Sequence, residues 1–238
     1  MKKSKVLVFP CGSECGLEIG RSLQNLKEVE LWGASSVDDH GKFFFSNYIG
    51  DLPYVTSSDF IDALNAVLAT HEIDFVYPAM DNVVDILAGD AGRLKATVVG
   101  SCAETTAIAL SKKKTYQVLR DVVRCPSIYE LDKLKKADFP VFLKPEIGCG
   151  SKGVMLANTI EDVQNALQRD SSLLILENLP GVEYTIDCFT DFNGELKYFG
   201  ARSRRRVARG ISVNTISVED QDDQFRRIAN AINSKVKF

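Results

Sequence analysis

The chain has 238 residues, 45% apolar and 26% charged, with a net charge of −3. That length buries a sizeable core and suits two domains, or one domain and part of another. The composition is that of a soluble globular protein. The charge balance excludes a global basic field for nucleic acid or membrane, and no apolar run reaches the length of a membrane span.

The N-terminal "KVLVFP" is a short buried strand. Its apolar run is too short for a signal-peptide core, so it reads as the first strand of a cytoplasmic protein. "LEIGRSLQNL" carries Leu17, Ile19, Leu23 and Leu26 at roughly helical spacing. "VELWGA" is a second strand. "SSDFIDALNAVLATH" begins with serines as caps and sets Ile61, Leu64, Val67 and Leu68 on one helical face. "IDFVYPA" and "ATVVG" are strands around the helix "DNVVDILAGDAGRL". Alternation of this kind predicts βαβ units and a parallel, Rossmann-like sheet.

The pattern changes after about residue 110. "SKKKTYQVLRDVV" is a helix with Tyr116, Leu119 and Val122 or Val123 inward. "FPVFLKP" and "GVMLA" are strands around a glycine loop. "TIEDVQNAL" opens like a capping box, Thr159 with Asp162, and buries Val163, Ala166 and Leu167. "SLLILENL" is an apolar strand. "YTIDCFTDFNGELKYFGAR" is a hairpin about Asn193-Gly194, and "GISVNTISV" is a further strand. "EDQDDQFRRIANAINSK" is a helix with an acidic first turn and basic residues near its end. The expected fold class is α/β followed by α+β.

The six cysteines (Cys11, Cys15, Cys102, Cys125, Cys149 and Cys188) form no C-x-x-C pair, and neither His40 nor His71 sits near one. Zinc ligation has little support, and free packing thiols in a reducing compartment are the better reading. Cys149 reads as a small loop residue, not a nucleophile, because no histidine base is near in sequence.

Four stretches carry chemistry. Gly12, Gly16 and Gly20 follow the first strand, but at G-x-x-x-G-x-x-x-G spacing. That favours a tight strand-to-helix turn with close helix packing over a dinucleotide site. The loop "PEIGCGSKG" is a better anion site. Gly148, Gly150 and Gly153 free backbone N–H groups to form a nest, Ser151 adds a hydroxyl, and Lys144 ends the preceding strand. Taken alone, the loop reads equally as a surface hairpin with a snorkelling lysine. The P-loop signature is absent. Downstream, Glu177 ends an apolar strand, with Glu183 and Asp187 beyond a Pro180-Gly181 turn. An apolar strand running into a short connector offers backbone groups to a purine edge. In "ARSRRRVARG", strand geometry would set Arg202, Arg204 and Arg206 on one face, with Arg205 and Arg209 also present. A solvated edge strand and an anion site both remain open there.

The stretches "SKKKTYQVL", "FPVFLKPEIGCGSKGV", "LLILENLPGVEYTIDCF" and "ARSRRRVARGIS" together resemble the ATP-grasp superfamily. The likeness is to the branch of the carbamoyl-phosphate synthase large chain, which includes carboxylate–amine ligases. It implies a pre-ATP-grasp domain over 1–108 and an ATP-grasp domain over 109–238, with a lid subdomain over about 112–177 and the start of a C-terminal subdomain from about 178. It also implies roles. Lys112 matches a phosphate lysine, although Ser111 stands where the family has Asp, so Lys114 is its rival. Lys144 matches the second phosphate lysine, and Gly148 to Gly153 match the flexible loop. Glu177, Asn178 and Leu179 match the adenine linker, acting mainly through backbone, and Glu183 matches the ribose acid. Arg204 and Arg206 fall nearest the acyl-phosphate site.

The implied reaction is ATP-dependent ligation of a small carboxylate and an amine or similar nucleophile through an acyl phosphate, with ATP and Mg²⁺ as cofactors. The likeness allows a homodimer and implies no nucleic-acid or membrane partner. The family's Mg²⁺-binding acids fall downstream of Phe238, so the expectation is a chain with no metal ligands of its own, an inactive fragment. Two other classes stay in view: a non-catalytic nucleotide-binding or interaction module, and a dinucleotide-dependent oxidoreductase built on the first domain.

Overall fold

The computed structural model describes residues 2–237 except 149, 151, 209, 210 and 221. Cys149, Ser151 and Arg209, singled out above, therefore lie outside the described residues. The chain divides into two compact units, Met1–Ala107 and Ile108–Phe238.

The first unit alternates strand and helix: β1 (Ser4–Phe9), α1 (Glu14–Leu23), β2 (Val29–Ala34), α2 (Gly41–Phe44), β3 (Asn47–Ile49), α3 (Phe60–Thr70), β4 (Phe75–Pro78), α4 (Asp81–Gly89) and β5 (Thr97–Val98). The five strands form one parallel sheet in the order β3-β2-β1-β4-β5. Because helices cover both faces of such a sheet, its central strand is apolar on both sides. Leu7 and Phe9 of β1 pack with Phe60, Leu64 and Leu68 of α3, while Val8 packs oppositely with Cys11, Phe45 and Ala79.

α1 packs closely on the turn after β1, since a Cβ on Gly16 would stand 2.6 Å from the Pro10 carbonyl oxygen. Ser13 caps this helix by accepting from the Gly16 N–H at 3.0 Å. Its hydroxyl also lies 3.0 and 3.1 Å from the carbonyls of Pro10 and Ala79. The turn is a close-packed junction whose first-turn donor is already satisfied.

Two expectations need correction here. Leu26 lies beyond the end of α1 and is exposed. The N-cap of α3 is Asp59, with no side-chain cap bond, and Ser57 turns its hydroxyl to the Asp59 carboxylate. The short α2 and β3 were not legible, being one helical turn and three residues long.

α5 (Ala103–Leu110) contains the division between the units. The second unit then holds α6 (Lys112–Leu119), β6 (Ile128–Tyr129), β7 (Val141–Pro145), β8 (Met155–Ala157), α7 (Ile160–Arg169), β9 (Leu173–Glu177), β10 (Tyr184–Thr190), β11 (Leu196–Ala208), β12 (Ile211–Val218) and α8 (Gln224–Asn233). β6-β9-β7-β8 form one antiparallel sheet and β10-β11-β12 another. α7 begins with the Thr159–Asp162 capping box and lays Val163 and Ala166 on Val141, Leu143 and Ile175. α8 covers the second sheet, with Phe225 against Tyr184 and Arg226 over the Phe199 ring.

The expected acidic first turn of α8 is also corrected. The helix begins at Gln224, after the acids, and Asp220 reaches forward to accept from the N–H groups of Phe225 and Arg226 at 2.9 Å. α6 ends at Leu119, short of Val122 and Val123. Among the described residues no helix is long and apolar enough to cross a membrane.

Candidate functional site

The period of two along β7 sends Val141 and Leu143 into the core and turns Phe142 and Lys144 to the other face. That second face floors a cavity of about 440 Å³ within the second unit. Lys112, Lys152, Glu183 and Arg204 stand around it, with Gly148, Gly150, Pro145, Val154 and Val207. Ligand clefts commonly measure roughly 300–1,000 Å³.

The glycine loop is held from α6. The Lys112 N–H donates to the Glu146 carbonyl at 3.1 Å, and its Nζ donates to the carbonyls of Gly148 at 2.9 Å and Glu146 at 3.3 Å. The Ser111 hydroxyl caps α6 by accepting from the Lys114 N–H, and donates to Glu146 Oε1 at 2.5 Å. Of the two rival lysines, Lys112 lines the cavity and Lys114 is exposed. Gly150 and Gly153 have φ of +68° and +72°, a region other residues enter at a cost of about 1–2 kcal/mol. A Cβ on Gly153 would also stand 3.1 Å from Pro145 Cγ.

Lys144 Nζ sits 5.4 Å from the centre of the Tyr116 ring, the negative face of which attracts the ammonium. Across the cavity Glu183 Oε1 accepts from Arg204 Nη1 at 2.6 Å, and Arg204 Nε donates to Ser212 Oγ at 2.6 Å. Among the described residues four cations thus face one carboxylate, itself ion-paired to one of them. Such a surface suits a polyanion with several charged oxygens.

The remaining candidate residues stand elsewhere. Glu177 ends β9 opposite Val141. Its carboxylate accepts from the Ser127 N–H at 3.1 Å and Arg124 Nη2 at 2.5 Å. The Ser127 bond, with Arg124 assisting, holds the Glu177 carboxyl below its usual range. Its side chain therefore braces the end of the sheet, and its own N–H donates to the Ser127 carbonyl at 2.9 Å.

The three arginines do not share a face. The β11–β12 pairing shifts between Arg204 and Arg206 and again between Arg206 and Val207. This breaks the alternation, so Arg204 and Val207 line the cavity while Arg206 is exposed outside it. Arg202 pairs with Asp187, Nη2 to Oδ1 at 2.8 Å. Phe142, Lys152, Val154, Val207 and Tyr116 were not anticipated. For Phe142 the signal was present, since it alternates with the core residues of β7.

A cation-lined cleft beside a glycine loop, carried on an antiparallel sheet, is a candidate anion site. Residues 109–232 match the family model of the ATP-grasp domain, and the chain belongs to the ATP-grasp family. It is 28% identical over 139 residues to a D-alanine–D-alanine ligase of Thermotoga petrophila, covering 52% of this chain and 45% of that one. This chain therefore spans about half the length of that curated relative.

Among solved structures it is similar to the biotin carboxylase domain of Hydrogenobacter thermophilus 2-oxoglutarate carboxylase, which was captured with MgADP, ADP and bicarbonate. The TM-score is 0.74 at 13% identity, over 100% of this chain and 58% of that one. It is also similar to Campylobacter jejuni biotin carboxylase in complex with a β,γ-ATP compound. Here the TM-score is 0.73 at 15% identity, over 98% of this chain and 60% of that one. At these identities the likeness shows the fold: a Rossmann-like α/β unit followed by the α+β ATP-grasp architecture.

Among the described residues no group of three or more His, Cys, Asp or Glu side chains could hold a metal ion. The cavity's one carboxylate is on Arg204. Mg²⁺ is usually held by one or two carboxylates together with substrate phosphates and water, and the Glu183 carboxylate is engaged by Arg204, so the described side chains of the cavity do not fit the ion.

Proposed function

We propose that the second unit binds ATP and that the chain belongs to an ATP-dependent ligase joining a small carboxylate to an amine or similar nucleophile. The carrying observation is the convergence of Lys112, Lys144, Lys152 and Arg204 beneath the glycine loop. The sheet register supports the pose. Lys144 stands opposite Leu174 on β9, three residues from Glu177, or about 10 Å along the strand. That is the order of separation between a purine ring and the β-phosphate of a nucleoside diphosphate. In this pose the triphosphate lies on the lysines, the purine edge meets the Glu177–Leu179 backbone, and Glu183 receives the ribose hydroxyls.

In the reaction a carboxylate oxygen attacks the γ-phosphorus and ADP leaves with the bridging oxygen. The nucleophile then attacks the acyl carbon and inorganic phosphate departs. This chain's part is positioning and charge stabilisation. Lys112 and Lys144 fix the phosphates, and Arg204 neutralises charge on the transferred group. Arg206, outside the cavity, takes no part. A relation to the carbamoyl-phosphate synthase branch, an action in the cytoplasm and a homodimeric state belong to the same proposal.

Isothermal titration of the full chain tests it. ADP should bind saturably and NADH should not compete at the same concentration. Binding of NADH without ADP would overturn the reading.

A further inference from the structure

The first unit holds a cavity of its own, about 270 Å³, at the C-terminal ends of β1, β2 and β4. The strand order reverses between β1 and β4, the place where open parallel sheets form a crevice. Its volume is below the roughly 300–1,000 Å³ of drug-sized sites, so any ligand is small. The inner wall is apolar, with Phe9, Val55 and Val83. At the rim Val37, Tyr54 and Met80 are large apolar side chains left between 43% and 64% exposed.

One carboxylate lines this cavity among the described residues, that of Asp39. Its carboxylate is held in a fixed orientation. Oδ2 accepts from the hydroxyl of fully buried Ser35 at 2.9 Å, and Oδ1 accepts from the Gly41 N–H at 2.9 Å. Each oxygen keeps a further lone pair. A Cβ at Gly12 would run into this carboxylate, so its charge lies directly on the turn after β1. Its field is felt nearby. Burial first, and then Asp39, push the Cys11 thiol up to about 12 and raise the Tyr48 hydroxyl. The nearby cation Lys42 is engaged by Asp38 at 2.6 Å.

An anionic ligand is therefore disfavoured twice: the α1 N-terminus is already capped by Ser13, and a carboxylate occupies the approach. This also tells against a pyrophosphate at Gly12–Gly16. We propose that the cavity binds a small organic ammonium ion with an apolar body, the ammonium donating to Asp39 and the apolar part lying against Phe9, Val55 and Val83. The proposal stands on the first unit alone and does not depend on nucleotide binding in the second.

The test is calorimetric titration of the full chain with isoamylamine and, as its uncharged counterpart, isoamyl alcohol. The amine should bind at least about tenfold more tightly, as a charge-assisted hydrogen bond implies. Asp39→Asn should abolish that preference, and Val37→Trp, which narrows the rim, should weaken both probes. Thermal unfolding of each variant confirms that it is folded, independently of any ligand. Equal binding of amine and alcohol, absence of saturable amine binding to the wild type, or an amine preference that survives in folded Asp39→Asn would each overturn the proposal.

Discussion

Replacing Lys144 with methionine removes one positive charge from the cleft and keeps a similar apolar stem. The ammonium stands over Tyr116 at 5.4 Å from the ring centre, on the cavity face of β7. A phosphate charge about 4 Å away would attract it by roughly 4 kcal/mol at an effective dielectric of about 20. Desolvation cancels much of this, and a charge-assisted hydrogen bond retains about 1.5–3 kcal/mol. The dissociation constant for ADP should therefore rise about 10- to 150-fold in Lys144→Met. A fluorescent ADP analogue displaced by unlabelled ADP measures it. Adenosine, which lacks phosphates, should bind both proteins alike. Tyr116→Leu should cost only about two- to fivefold, the worth of an exposed cation–π contact, and Tyr116→Phe should restore the affinity. If Lys144→Met leaves ADP affinity within about threefold of wild type, or weakens adenosine equally, the ammonium does not meet phosphate and the reasoning fails.

Three further outcomes follow from the packing. Gly153→Ala, with φ at +72° and Pro145 Cγ 3.1 Å from the new Cβ, should lower the free energy of urea unfolding by about 1–2 kcal/mol; an unchanged midpoint would contradict it. The Asp162 carboxyl is held below its usual value by the N–H groups of Asn158 and Thr159. A depressed folded value gives stability that is present above about pH 4 and lost as the pH falls through the folded value. Thr159→Ala should cost about 1 kcal/mol at neutral pH, and Asp162→Asn should flatten the acid limb of the wild-type stability curve. Cys102 is exposed and its thiol is lowered by the backbone and hydroxyl of Thr105, whereas buried Cys11 is pushed up to about 12. Iodoacetamide at neutral pH should label Cys102 well before Cys11, and the reverse order by peptide mass spectrometry would refute the assignment.

The alternation of apolar strands and amphipathic helices in the first unit made its parallel sheet legible, because each run buries a face set by a local period. The capping box of α7 was legible for the same reason: Thr159 and Asp162 are three residues apart and satisfy each other's backbone. The arginine face was not. A strand period predicts that Arg204 and Arg206 are equivalent, and only the pairing with β12 reveals the shift that separates them. The brace on Glu177 was equally hidden, since Arg124 and Ser127 are about fifty positions away in sequence and meet it only across the sheet. The sequence alone could not show that Lys112 would bond the Glu146 and Gly148 carbonyls at the cavity while Lys114 stands exposed. In the first unit the spacing of the glycines around the α1 turn pointed to a close-packed turn, and Gly16 and Gly20 do approach Pro10 and Phe44 closely, while Gly12 meets the Asp39 carboxylate.

Hydrogen–deuterium exchange of the full chain, with and without saturating ADP, tests the nucleotide site most directly. Slowed exchange is predicted across residues 142–154 and 177–183, where the glycine loop and the connector after β9 would close on the phosphates and the purine, with residues 10–20 unaffected. Protection confined to residues 10–20, or no protection in the second unit at saturating nucleotide, would contradict it.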